Sequence, residues 1–362
     1  MACRRLSSLV HHPGLASVLT LKEANRLILP ASITSWVLTD GKAGDTAICF
    51  GVVEALGLEP QLHKIAPRAP WSWATPFGPI DPREAPSRPG SPIAPPYPDL
   101  VIASGRRAVP YVRRIRAETK GRTFTVFMKD PYAGPGIADL VWVPEHDQLI
   151  GPNVIKTPLT PHRVTQAKLA AARTLPLAVL AHLPSPRAAV LVGGNSVNHR
   201  FTAEDIATFS SRLELLANAG VRLMGTPSRR TPPGLRDAVA AVISRHGGYF
   251  WDEEGENPFI MLLALADTVV ATSDSVGMVG EAAATGRPVL VYEPSGGHPK
   301  NTRYLNTLRR SGIVHEFTGE LAGTPYEPVD STLVVASSIA QAFLGHRNVI
   351  RGANAPRFPS QS

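Results

Sequence analysis

The sequence predicts an α/β fold of two doubly wound, Rossmann-like parallel-sheet domains facing a cleft. Apolar strands alternate with glycine-bearing loops and apolar-faced helices, the pattern of a parallel sheet covered on both faces. These units fall into two series, one opening near Ile33 and the other near Arg187. A length of 362 residues also exceeds what one core usually encloses.

Residues 1–32 hold Arg4 and Arg5 and no acidic residue before Glu23, which resembles a transit peptide and equally suits an upstream extension outside the folded domains. The first domain is expected over 33–180. "ITSWVLTDGKAGDTAICFGVVEALGL" reads as strand, glycine loop and helix ending at Gly57, and "DLVIASGRRAVPYVRRIRAE" repeats the plan. "TFTVFMKDP" and "DLVWVPEHD" add strands that end in charged residues. Residues 67–98 are dense in proline and read as a long exposed loop. Over 106–122, Arg107, Arg113, Arg114, Arg116, Lys120 and Arg122 interleave with Val109, Val112 and Ile115. That helix can rest a basic and apolar face on an anionic membrane surface, or turn its apolar stripe to the core.

The second domain is expected over 187–325. "RAAVLVGGNSVNHRFTAEDIATFSSRLELLANAG" opens it, and further units follow through "TSDSVGMVGEAAATGRPVLVYEPSGG". In that last stretch Gly286 can take the left-handed position after a helix and Pro288 cannot continue one. Ser273, Asp274 or Ser275 can cap the helix start, with Asp274 matched to the helix dipole. Residues 331–347 read as a closing helix that returns to the first domain, and 348–362 as a tail.

The formal charge of +8 favours anionic partners. Ribonucleoprotein motifs, zinc fingers and basic zippers are absent from the sequence, so nucleic acid is not expected. The longest apolar run, Pro258 to Ala271, is interrupted by Asp267 and falls short of the ~18 residues a spanning helix needs. Cys3 and Cys49 offer neither a disulfide framework nor a metal-ligand spacing. A cytoplasmic protein, peripheral to the inner face of a membrane, is the expectation. No complete G-x-G-x-x-G, Tyr-x-x-x-Lys, P-loop or Asp-x-Asp occurs, so neither a cofactor nor a metal is expected.

Positive charge for an anionic ligand must then come from the protein. Gly193, Gly194, Asn195 and Ser196 form a candidate backbone cradle after one strand, and Ser228, Arg229 and Arg230 follow the next. Arginine pairs with diphosphate oxygens in bidentate fashion, and glycine lets the backbone approach. His146 and Asp147, at the end of a first-domain strand, are a candidate acid-base pair.

Taken together, "DGKAGD", "PEHD", "GGNS", "SRRTP", "ENP" and "TSDSVGMVGEAAATGRPV" make the chain similar, from about Ser35 to Gly319, to the elongated-mitochondria (mitochondrial fission) family. The second domain resembles the nucleotide-sugar half of GT-B glycosyltransferases, most nearly the type that adds N-acetylglucosamine to a lipid-linked peptidoglycan precursor. The resemblance implies a GT-B-like, metal-independent, inverting transferase whose substrate is a nucleoside-diphosphate sugar and whose acceptor is an envelope or lipid-linked hydroxyl. It implies Glu281 on the ribose hydroxyls, Ser273, Ser275 and Gly277 at the diphosphate, and Lys300 and Asn301 at the donor sugar. On the acceptor side it implies Gly41, Lys42, Gly44, Ser104, Gly105 and Arg106, with Asp45 in the place of the base. Ile48 stands where the family commonly has Gln. A cofactor-independent nucleotide-sugar epimerase on the same fold, and a non-catalytic fission-type adaptor with a filled or closed cleft, are the alternatives.

Overall fold

In the computed structural model the chain is described over residues 28–353, so most of the expected 1–32 extension and the end of the 348–362 tail lie outside the described residues. Two parallel sheets form. The first contains β1 (Ser35–Thr39), β2 (Gln61–Lys64), β3 (Leu100–Ser104), β4 (Phe124–Met128), β5 (Leu140–Pro144) and β6 (Val154–Thr157), in the spatial order β2-β1-β3-β4-β5-β6. The second contains β7 (Arg187–Val192), β8 (Arg222–Pro227), β9 (Tyr249–Phe250), β10 (Thr268–Thr272), β11 (Val289–Tyr292) and β12 (Val314–Glu316), ordered β12-β11-β10-β7-β8-β9. β1, β3, β4 and β10 are buried along their whole length, which is why they read as continuous apolar runs.

In each sheet the winding reverses once, between β1 and β3 in the first and between β7 and β10 in the second. At such a reversal the loops leaving two neighbouring strands diverge and open a crevice at the carboxyl ends. The helices α1 (Ala43–Ala55) and α2 (Val109–Thr119) follow the first reversal. Next come α3 (Gln166–Thr174), α4 (Ala178–Ala181), α5 (Ala203–Asn218), α6 (Pro233–Arg245), α7 (Phe259–Leu265), α8 (Val276–Ala283), α9 (Pro299–Arg310) and α10 (Ser331–Ala353). No helix among the described residues is long and apolar enough to cross a membrane.

The last helix, α10, ties the units together. Its Val335, Ala336, Ile339, Ala340 and Phe343 enter the core of the first sheet beside α1. Its start is pinned where the chain crosses over: the Leu159 amide donates to Ser331 Oγ at 3.1 Å and the His162 amide to Thr332 Oγ1 at 3.0 Å. At Gly51 a Cβ would lie 2.5 Å from the His162 carbonyl, so α1 can pack this close only with glycine there.

Two expectations change. On α2, Val109, Val112 and Ile115 are fully buried, because β3 and β4 need an apolar cover, and the helix therefore offers no apolar face to a membrane. The proline-rich segment is also not a free loop. Arg68 pairs with Asp81 through two nitrogens, Tyr111 donates to Glu84, Arg113 reaches the carbonyls of Pro76, Phe77 and Gly78, and Ile93 is buried in the core.

Candidate functional site

The second-domain crevice is organised by one buried carboxylate. Asp274, just beyond β10, has a side chain with no exposed surface. Its Oδ2 accepts from the Gly194 amide at 2.9 Å and from Arg230 Nη2 at 2.9 Å, and its Oδ1 accepts from Thr272 Oγ1 at 2.6 Å. The Gly193 amide donates to Thr272 Oγ1 at 2.8 Å. A Cβ on Gly193 would sit 2.1 Å from Asp274 Oδ1, and one on Gly194 would sit 2.0 Å from the Arg230 carbonyl. These glycines therefore serve close packing of three loops.

This corrects several sequence readings. Asp274 does not cap α8; the N-cap is Ser275, which makes no side-chain cap bond. The Gly193 and Gly194 amides are already occupied, so they form no vacant cradle for a diphosphate. Arg230 is committed to Asp274 and to the Asn195 carbonyl. Asn195 Oδ1, Ser196 Oγ and Ser228 Oγ all close their own loops, accepting from the amides of Phe201, His199 and Arg230. The reason is common to all: buried or half-buried polar groups find partners within the fold when the loops converge.

What stays open is the start of α8. Among the described residues the amides of Val276, Gly277 and Met278 donate to nothing, and Gly277 is exposed with nothing within 4 Å of a would-be Cβ. Such a terminus carries partial positive charge and unpaired donors. Arg229, exposed beside Arg230, has no ion-pair or hydrogen-bond partner among the described residues. Ser273, two residues before the N-cap of α8, lines a cavity with His199, Gly296, Gly297, His298 and Asn301. About one and a half turns along α8, Glu281 is half-buried, and desolvation pushes its carboxyl up to about 7 against the pull of Arg163. It is not on a freely exposed helix face, because the crossover segment covers that side.

The first-domain crevice has a matching design. α1 begins after Lys42 with no side-chain cap bond. Asp45, in its first turn, is buried; its Oδ1 accepts from Ser104 Oγ at 3.1 Å and from Lys129 Nζ at 2.7 Å. Gly105 borders both Asp45 and Asp40, at 3.5 Å and 3.7 Å from a would-be Cβ. Asp40 has a side chain only 2% exposed and neither oxygen hydrogen-bonded, with Lys42 Nζ at 3.1 Å and an Arg107 nitrogen at 3.8 Å. The Lys64 side chain lies over Gly41, whose φ is +81°, while Gly44 has open space and Arg106 is exposed. Lys129 itself sits at φ 76°, a strained backbone for a residue with a Cβ. Asp40 and Lys129 escaped the sequence reading. The signal was available, since each is the charged residue just past a buried strand.

Between the crevices Lys300 spans the cleft. Its Nζ lies 3.1 Å from Asp147 Oδ2 and 5.8 Å from the Tyr132 ring centre, so in this structure it engages the first domain instead of a donor site. Burial raises the Asp147 carboxyl, but the Leu149 amide and Lys300 outweigh it and hold the group below its ordinary range. His146 packs against Tyr304, and burial lowers its pKa. The expected His146–Asp147 acid-base pair therefore does not form: each residue is engaged across the cleft by α9.

Against known proteins, a family model described as "Mitochondrial fission ELM1" matches residues 43–343. The mitochondrial fission protein ELM1 of Arabidopsis thaliana is 29% identical over 275 residues, covering 67% of this chain and 63% of that protein. The uncharacterized protein RP120 of Rickettsia prowazekii (strain Madrid E) is 28% identical over 161 residues, covering 42% of this chain and 45% of that one. The matched region thus spans less than two thirds of either relative. Among solved structures, a putative UDP-N-acetylglucosamine 2-epimerase from Listeria monocytogenes aligns with a TM-score of 0.48 at 13% identity, covering 91% of this chain and 100% of that one. MurG of Acinetobacter baumannii aligns with a TM-score of 0.44 at 12% identity, covering 89% and 96%.

Proposed function

The chain belongs to the mitochondrial fission ELM1 family, and on that premise we propose that it binds a nucleoside-diphosphate sugar in the second domain and transfers the sugar, without a metal, to a hydroxyl of an envelope or lipid-linked acceptor held by the first. The observation that carries this reading is the uncapped start of α8, set at the strand-order reversal with free amides and preceded by Ser273, which lines a polar cavity. Diphosphate is the ligand chemistry that such donors suit. In the proposed reaction the acceptor oxygen attacks the anomeric carbon while the bond from that carbon to the diphosphate breaks. Asp45 takes the acceptor proton, and the α8 amides with Arg229 stabilise the charge left on the diphosphate. Asp45 Oδ1 is held by Ser104 and Lys129, which leaves Oδ2, without a hydrogen bond, for the proton.

The test is thermal unfolding against nucleosides, nucleoside diphosphates and their sugars. A ligand at 100 times its Kd stabilises the native state by about 2.7 kcal/mol, a readily measured shift. Diphosphates should stabilise the protein far more than nucleosides, and Arg229→Ala should remove most of that difference. No shift with any nucleotide would overturn the reading.

Glu281 adds a pH signature. Ribose hydroxyls donate to an ionised carboxylate, so nucleotide affinity should rise as pH passes through about 7, and Glu281→Gln should flatten the profile. Without ligand the sign reverses. The folded carboxyl keeps its proton where the unfolded one, near 4.5, has lost it, so this group's contribution to stability is present below 4.5 and declines as pH rises toward 7. Isothermal titration and unfolding from pH 5 to 8, compared between wild type and variant, separate the two trends.

One observation favours a second reading, a non-catalytic adaptor. The Asp274 carboxylate fills the space over Gly193 and Gly194, and Lys300 to Asp147 bridges the cleft. A folded protein that ignores every nucleotide in the screen would support it.

A further inference from the structure

We propose that His162, buried where the crossover segment meets α1 and the start of α10, makes the joint between the two domains acid-sensitive: protonation of its imidazole releases α10 from that joint. The side chain is 4% exposed, and both ring nitrogens are buried without a hydrogen-bond partner among the described residues. Buried polar groups in a native fold nearly always find one. A neutral imidazole can occupy such a site at modest cost, whereas an imidazolium there is a charge removed from water.

The backbone holds the residue in place from two sides. The His162 amide donates to Thr332 Oγ1 at 3.0 Å, and that hydroxyl donates back to the His162 carbonyl at 3.2 Å. Against the same carbonyl α1 packs so closely that a Cβ on Gly51 would lie 2.5 Å away. The Leu159 amide bonds Ser331 beside it, so both chain crossings between the domains meet at this point. While α10 stays docked, the ring has no path to water.

The charged groups around it do not offset an added positive charge in full. Asp330, on the segment leading into α10, is the carboxylate that acts on the ring, and its Oδ1 already accepts from the amides of Thr332 and Leu333 at 2.9 Å and 3.2 Å. Arg163, next in the chain, and Lys168 on α3 pair with Glu54 of α1, and Arg163 also pulls on Glu281 of α8. Burial lowers the imidazole pKa from its ordinary 6.5, and the opposing pull of Asp330 and of the Val164 backbone does not restore it.

Acid therefore weakens the joint. Above 6.5 neither the docked nor the released state carries the proton; as pH falls below 6.5 the released state takes up a proton that the docked state resists. One proton is involved, so the ratio of docked to released α10 falls by at most about tenfold per pH unit. Glu281 contributes with the opposite sign, since its raised carboxyl adds stability as pH falls. Neither crevice takes part, so the joint is independent of sugar transfer.

The experiment is hydrogen exchange of the full chain from pH 7.5 to 5, read by mass spectrometry on peptides from 157–164 and 331–345 and corrected for the intrinsic pH dependence of exchange. In wild type the protection of both should fall together below pH 6.5, by up to about tenfold per unit, while β3 and β10 keep theirs. His162→Phe replaces the imidazole with a ring that has no nitrogen, and its protection should be flat over this range and no lower than that of wild type at pH 7.5. His162→Gln, which keeps a polar side chain and cannot titrate, should be flat as well. Asp330→Asn keeps the cap on α10 but removes the carboxylate that eases protonation, so its acid loss should be at least as large as that of wild type. Wild-type protection that does not change between pH 7.5 and 5, an acid loss in the His162 variants as large as in wild type, or a smaller loss in Asp330→Asn would each overturn the proposal.

Discussion

Asp274→Ala should cost about 2 to 4 kcal/mol of stability, among the largest losses from one surface-loop position in this protein. The side chain is fully buried and accepts from the Gly194 amide, Thr272 and Arg230. Removing it strands the amide and hydroxyl away from water and opens a void against Gly193. The guanidinium is 44% exposed and can rehydrate, which keeps the loss below that of a fully buried ion pair. Asp274→Asn keeps the volume and one acceptor and should lose less. Urea unfolding of Asp274→Ala, Arg230→Ala and the double variant gives the coupling between the two side chains. An Asp274→Ala protein as stable as wild type would show that the three loops are held by something else.

Under the proposed function, Asp45→Asn should reduce sugar transfer by about a hundredfold or more while leaving the fold and donor binding nearly intact. An amide oxygen can still accept from Ser104 and Lys129, and Lys129 is 44% exposed, so the lost ion pair costs about 1 kcal/mol or less. The drop should fall on kcat, with nucleotide-induced stabilisation unchanged. If the variant transfers at the wild-type rate, the base lies elsewhere. Asp40, buried beside Lys42 and Arg107 with no hydrogen bond, is then the next carboxylate to replace.

The sequence by itself determined the architecture. Buried parallel strands must be apolar along their length, and "WVL", "LVIA" and "TVVA" are legible as such without knowing what covers them. Gly286 and Pro288 mark the end of α8 because backbone conformation there is a local property, and Gly286 indeed has φ 75°. Residues just past strand ends were likewise recognisable as crevice residues, because in a doubly wound sheet that position follows from topology alone.

Only the tertiary structure decided what each of those residues does. Asp274 could cap a helix, bind a ligand or hold a loop. The choice fell to Gly194, 80 positions away, and to Arg230, 44 away, whose donors reach its oxygens. Whether the apolar stripe of α2 met lipid or core depended on β3 and β4 needing a cover. Lys300 met Asp147 only because α9 faces the first domain across the cleft. The physical reason is the same in each case. Strand and helix formation are dictated by short-range periodicity, whereas a polar side chain's role is fixed by which partner leaves it best satisfied once water is excluded, and that partner is brought near by the fold.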